Sequence, residues 1–206
     1  EQQDLRLMVR EFADKEIIPT AKECDISGTF PKELFRKAYE MGLTTCTLPE
    51  KFGGMGLDNF TWALLKEELA RGDGGFGSTV GVCYMATVPA KVFGTDEQIQ
   101  MVADVLANGG AGCFALTESN AGSDVSALRT RYVKDGDYYI LNGRKSFITN
   151  AEIADVATVF ASGDLSLGAK GISAFIVDMH APGVSIGGHE DKMGHRTPVT
   201  NDIVFE

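Results

Sequence analysis

The chain has 206 residues, 44% hydrophobic and 23% charged, with a formal net charge of −10. That balance excludes a disordered or collagen-like chain, and no apolar run approaches the roughly 18 residues a membrane span requires. The acidic excess, spread over both halves, argues against nucleic acid as a partner, because phosphate binding needs a surplus of Lys and Arg.

Leu5, Met8, Val9, Phe12 and Ile17 recur at helical spacing and predict a helix over 5–18, with Pro19 as its stop. Pro31 opens a second helix that places Leu34, Phe35, Ala38 and Tyr39 on one face, and Gly42 ends it. Residues 43–57, broken by Pro49 and the cluster Gly53-Gly54-Met55-Gly56, read as a loop. A third helix spans 59–70. Residues 76–93 are apolar almost all round, which predicts a helix buried on every side. Thr95-Asp96-Glu97-Gln98 is a capping box for a helix that runs to Leu106.

After Asn108-Gly109-Gly110 the apolar period switches from helical to alternating. Residues 112–117 are strand-like. Residues 129–134, the pair Asp135-Gly136 and residues 137–141 predict a hairpin, and Asn142-Gly143 predicts another turn before 144–149. Residues 156–161, 171–179 and 202–205 complete a mostly antiparallel set. Helices first and strands second predict an α+β chain: an all-α domain over 1–111, then a β-barrel or sandwich domain over 112–206. The sequence closes right behind Ile203-Val204-Phe205, which predicts a β-domain cut short at its C-terminal end.

Four cysteines without CxxC or metal-ligand spacing predict reduced, partly buried thiols in an intracellular protein. Gly72-Asp73-Gly74-Gly75-Phe76-Gly77 matches the GxGxxG pattern but follows a helix rather than a strand, so it reads as a helix–helix connector. Asn59-Phe60-Thr61 is a glycosylation sequon by its letters alone. His180, His189 and His195 fall at loop or turn positions and read as exposed imidazoles rather than a ligand set. Neither a GxSxG elbow nor a Walker A loop is present.

Two clusters carry more chemistry. In Leu116-Thr117-Glu118-Ser119-Asn120-Ala121-Gly122-Ser123-Asp124 a strand ends in small and hydroxylated residues. Gly122 clears the backbone for an anion, and Thr117 and Ser123 add donors. A polar connection of ordinary turn residues accounts for the same letters equally well. In Phe147-Ile148-Thr149-Asn150 an aromatic ring and a hydroxyl close another strand, and Phe147 alone reads as core.

Taken together, the runs Ala115–Ala127 and Leu141–Asn150 resemble the acyl-CoA dehydrogenase family. Glu16-Ile17-Ile18-Pro19, Leu48–Gly54 and Lys170–Phe175 extend the resemblance over essentially the whole chain. It implies an N-terminal helical domain, a middle β-domain and a C-terminal four-helix domain absent here, with FAD between them. By that resemblance Phe114, Leu116 and Thr117 line the flavin ring. Gly122 and Ser123 reach the FAD pyrophosphate, and Ser123 also lies near the acyl-CoA. Phe147 and Ile148 belong to the cofactor-binding run, with Phe147 against the isoalloxazine and Thr149 near flavin N5. The family usually has Trp where this chain has Phe147, so the flat wall stays and the indole N–H is lost. Many members have Pro at the position of Ser119.

The chemistry implied is removal of an α-proton from an acyl thioester while hydride leaves the β-carbon for the flavin. The family's catalytic glutamate lies in the C-terminal domain, and none of Glu118, Glu152, Glu190 or Glu206 matches it. The resemblance therefore implies no base in this chain and an inactive segment. Phe160-Ala161-Ser162 and Glu190-Asp191-Lys192-Met193-Gly194 look most like the butyryl-type branch for short or medium straight chains. The family also implies electron-transfer flavoprotein as oxidant, a homotetramer, a role in β-oxidation, and the bacterial cytoplasm or mitochondrial matrix. The alternatives are an acyl-CoA oxidase of the same fold, a DNA- or partner-binding member, and a subunit completed by another chain.

Overall fold

In the computed structural model, which describes residues 1–206, six α-helices precede seven strands. The first departs from expectation at Pro19. Helix α1 (Gln2–Phe12) does not stop there but runs through a π-turn, Ala13–Ile17, into α2 (Ile18–Ser27). In that wide turn the Ile18 N–H donates to the Ala13 carbonyl. Pro19 thereby falls in the first turn of α2, where a missing N–H costs little. Gly28, at φ +66°, ends the run.

Helix α3 (Lys32–Glu40) buries Leu34, Phe35 and Ala38, as its spacing predicts. The loop over 43–57 is irregular but not superficial: Leu43, Leu48 and Phe52 all enter the helical core. Helices α4 (Asn59–Gly72) and α5 (Gly74–Phe93) are joined by Asp73 alone, whose carboxylate accepts from the Gly75 N–H. The glycine-rich run is thus a helix connector. The capping box of α6 (Asp96–Ala107) forms with both of its hydrogen bonds. Helix α5 is only partly sheathed, however: Met85, Val92 and Phe93 stand exposed, Phe93 by 88%.

Strands β1 (Ala111–Ala115), β2 (Arg131–Asp135), β3 (Tyr138–Thr149), β4 (Ala154–Ser162), β5 (Ile172–Asp178), β6 (Val184–His189) and β7 (Thr200–Phe205) form one curled, mostly antiparallel sheet. Only the β1–β4 and β2–β4 pairings are parallel. The turn expected at Asn142-Gly143 does not exist. One twelve-residue strand, β3, crosses it, pairing with β2 through Asn142 and with β7 from Gly143 onward. The dipeptide marks a change of partner rather than a reversal. Gly143 has φ +149°, and a Cβ there would lie 2.7 Å from the Thr130 Cα.

Strand β6 was not foreseen, because Gly187 and Gly188 interrupt its alternation. His189 consequently ends a strand instead of lying in a loop, while all three imidazoles are exposed as expected. Helix α5 seats on the sheet where Gly112 faces Ala86; a Cβ at Gly112 would come within 2.9 Å of the alanine methyl. Two side chains bolt the contact. The Thr158 hydroxyl donates to the Ala86 carbonyl at 2.7 Å, and the Asn150 amide donates to the carbonyls of Thr79 and Gly112. All four cysteines are free, three of them buried.

Two tests follow from this packing. Gly143→Ala should cost about 1–3 kcal/mol in urea denaturation, because both the backbone conformation and the Thr130 contact resist a side chain. The second concerns Glu68 on α4, which is 1% exposed and held by Arg6, Arg10 and Arg71. Hydrogen bonding, Arg10's above all, brings its carboxyl down to about 2 against the opposing pull of burial. A depressed carboxylate stabilises the fold above its unfolded pKa and loses that contribution as pH falls through the folded value. Stability should therefore fall between about pH 5 and pH 2, and Glu68→Gln should flatten that part of the profile.

Candidate functional site

The two chemistry-bearing runs meet through one buried ion pair. The Lys145 ammonium, on β3, donates to the Glu118 carboxylate at 2.8 Å and to the Leu116 carbonyl at 3.1 Å. Glu118 also accepts from the N–H groups of Arg129 and Thr130, at 2.6 and 2.9 Å. Both side chains are almost fully buried. Burial pushes the Glu118 carboxyl up, but hydrogen bonds from Lys145 and Thr130 outweigh it and hold it below its ordinary range. Burial lowers Lys145, and Glu118 only partly offsets this. Glu118 is therefore a structural clamp. The Ser146 N–H completes the tie by donating to the Thr117 carbonyl at 2.8 Å.

The loop that follows β1 is folded on itself. Glu118 and Ala121 exchange backbone hydrogen bonds at 3.0 Å, Asn120 donates to the Ala127 carbonyl, and Asp124 caps a short 3₁₀ turn at Val125–Ala127. Alternation along β1 buries Cys113 and Ala115 and leaves Phe114 half-buried, its ring 5.1 Å from that of Phe160. Leu116 and Thr117 are half-buried, while Gly122 and Ser123 are exposed. A Cβ at Gly122 would meet nothing within 4 Å, so no internal packing requires a glycine there. Neither does its backbone, since its φ is not positive.

Phe147 overturns its reading as core. Between Lys145 and Ile148 the β3–β7 register slips by one residue, a bulge, and Phe147 sits in it at φ +60° with 58% of its surface exposed. An aromatic residue held in the left-handed region costs on the order of 1–3 kcal/mol, and such strain gathers at functional sites. The bulge turns the ring out of the sheet. Ile148 points the other way and is buried in the sheet core, so its side chain is closed to a ligand. Asn150, also at positive φ and fully buried, anchors the end of the strand to α5.

Phe147 and Thr149 line a cleft of about 450 Å³ with Ser78, Gly81, Val82 and Met85 of α5, Lys66 of α4, and Glu190, Lys192, His195, Pro198 and Thr200. The helical side of this wall went unrecognised in the sequence. The all-round apolarity of α5 masks which face is open, and the spacing of Ser78, Gly81 and Met85 is the one available signal. Phe114, Leu116, Thr117, Gly122 and Ser123 lie outside this cleft, on the neighbouring run that the ion pair clamps against it. His195 reaches back to the Ser78 hydroxyl at 2.9 Å.

A family model for the N-terminal domain of acyl-CoA dehydrogenases matches residues 1–110, and one for their middle domain matches residues 113–206. The chain is 42% identical to the 3-(aryl)acrylate reductase of Clostridium sporogenes, over 98% of this chain and 54% of that protein. It is also 42% identical to the mitochondrial short-chain specific acyl-CoA dehydrogenase of Bos taurus, over 99% and 50%. Among solved structures, butyryl-CoA dehydrogenase from Megasphaera elsdenii superposes with a TM-score of 0.93 at 38% identity, over 100% of this chain and 55% of that one. A structure concerning the electron transferring flavoprotein of Acidaminococcus fermentans and flavin-based electron bifurcation gives 0.95 at 43%, again over 100% and 55%. The chain thus spans about half the length of the relatives it matches.

The clamp can be tested by a double-mutant cycle. Lys145→Met and Glu118→Gln should each destabilise by about 3–5 kcal/mol, because each strands a buried partner. The double variant should lose clearly less than their sum in chemical denaturation.

Proposed function

The chain belongs to the acyl-CoA dehydrogenase family, and on that premise we propose that it forms two walls of a flavin site for α,β-dehydrogenation of an acyl-CoA thioester. The observation that carries this reading is Phe147, an aromatic ring driven out of a strand by a strained bulge and set over a cleft beside the Thr149 hydroxyl. No requirement of the chain's own packing explains that arrangement.

The residues fit FAD. Phe147 offers a flat apolar wall for the ring system, and the Thr149 hydroxyl a hydrogen bond to it, with Phe114, Leu116 and Thr117 on the adjoining run and the Ile148 backbone between. Gly122 is free of both conformational and packing demands, so its smallness serves the close approach of a ligand such as a pyrophosphate. The exposed Ser123 hydroxyl stands beside it to serve that group and the thioester's CoA. Bound FAD supplies there the capacity to take hydride from a carbon β to the thioester. What this chain contributes is a rigid frame, because the Lys145–Glu118 clamp and the Asn150 anchor fix both runs before any ligand arrives.

The α-proton needs a carboxylate base, and we place it outside residues 1–206. Glu118 is locked in its ion pair, and Glu152 and Glu206 lie away from the cleft. Glu190 lines it and is the carboxylate that tests the placement. The substrate in this reading is a short-chain acyl-CoA, supported by the short-chain and butyryl relatives. Electron-transfer flavoprotein is the proposed oxidant and a homotetramer the proposed assembly, with the domain seam at 111/112.

Two measurements check this. Gly122→Val in the flavin-loaded protein should weaken FAD retention by about tenfold or more, yet shift stability by no more than about 0.5 kcal/mol; unchanged flavin affinity would remove the pyrophosphate role. Residues 1–206 alone, given FAD, a short acyl-CoA and an acceptor dye, should show no turnover. Robust turnover abolished by Glu190→Gln would move the base into this chain.

A further inference from the structure

Among the cleft's cations, Lys66 alone is left without a partner, since Lys192 and His195 are hydrogen-bonded. Lys66 lies between neighbours that are all engaged: Glu67 pairs with Arg6, and Glu68 binds three arginines. The Lys66 ammonium itself makes neither an ion pair nor a hydrogen bond. Its side chain crosses α5 at Gly81, where a Cβ would stand 2.9 Å from Nζ and 3.0 Å from Cε. Gly81 is buried, and a side chain at that position would displace the end of the lysine. The glycine and the lysine thus form one device that lays a cation across the cleft wall.

The other charged groups there are committed or set apart. Lys192 donates to the Pro198 carbonyl and the Thr200 hydroxyl, at 2.5 and 2.9 Å, holding the segment before β7. His195 is bonded to Ser78. Glu190 lines the cleft and is ion-paired to neither lysine. Lys66 is exposed to solvent, and Val82, Met85 and the Phe147 ring share the cleft lining with it. A ligand that fills the cleft strips water from the ammonium. An alkyl chain would leave it buried without a counter-charge, which is costly, whereas an acidic group would turn the same burial into a charge-assisted hydrogen bond.

We infer that Lys66 recognises an anionic end on the acyl chain, so that the substrate is a CoA thioester bearing a carboxylate remote from the sulfur. This rests on the dehydrogenation reading of the cleft and narrows its substrate class. The phosphates of CoA could offer the same charge, and the test separates the two sources.

The holoenzyme, expressed as its full gene product, should be titrated with thioester pairs of equal length: pentanoyl against glutaryl, and hexanoyl against adipoyl, with free CoA alongside. The carboxylate-ended member should be favoured by ~10-fold or more in both Kd and kcat/KM. Lys66→Met should lower that ratio by ~10-fold, Lys66→Arg should hold it within about threefold, and Gly81→Val should lower it by displacing the lysine. Absence of any preference in the unaltered enzyme overturns the inference. So does an equal weakening of free CoA by Lys66→Met, which would assign the cation to a phosphate. Failure of every thioester to bleach the flavin would sink the dehydrogenation reading instead, while the Kd ratio still reports on Lys66.

Discussion

A lysine and a glutamate buried against each other hold the site together. Lys145 and Glu118 lie 27 residues apart, and their pairing brings the loop after β1 alongside the bulged end of β3. Desolvating two charges is expensive, and an apolar pair of similar volume would often serve stability as well or better. What the ionic pair adds is placement. Its remaining valences are taken by the Leu116 carbonyl and by the N–H groups of Arg129 and Thr130, so a shift of either run breaks several bonds together. The backbone of both runs is therefore defined by electrostatics at a depth where water does not compete.

Helix and sheet share responsibility for the cleft. The small residues Gly112 and Ala86 let α5 approach β1 closely, and Thr158 and Asn150 tie the sheet to the helix by donating to the Ala86 and Thr79 carbonyls. The hydrophobic core reflects this, since Ala111 and Val156 of the sheet belong to the same cluster as the helical side chains. A cleft framed from both sides by rigid elements keeps its geometry better than one carried on loops.

Much of this was legible in the sequence, and the failures have physical causes. The change of apolar period after Asn108 located the passage from helices to strands, and the Thr95 capping box marked the start of α6 correctly. Asn142-Gly143 misled because a dipeptide suited to positive φ serves a strand that changes partners as well as one that reverses. Pro19 misled because a π-turn moves the proline to a position where it does no harm. Phe147 misled because hydrophobicity predicts burial, whereas a bulge decides direction. The motif letters carried the family, but the cleft's helical wall depended on which side of an apolar helix remained open, and that is set by tertiary packing.

The continuity of β3 bears on the order in which the protein assembles. Its first half closes on β2, a few residues upstream, but its second half, which carries the bulge and Phe147, pairs with β7 some fifty to sixty residues later. On the ribosome the hairpin can form early, while residues 143–149 wait as an unpaired edge until 200–205 emerge. Such an edge is a template for wrong partners, and the lysine and arginine at its start are the kind of charge that discourages them. The wall of the site is thus finished well after the hairpin it grows from.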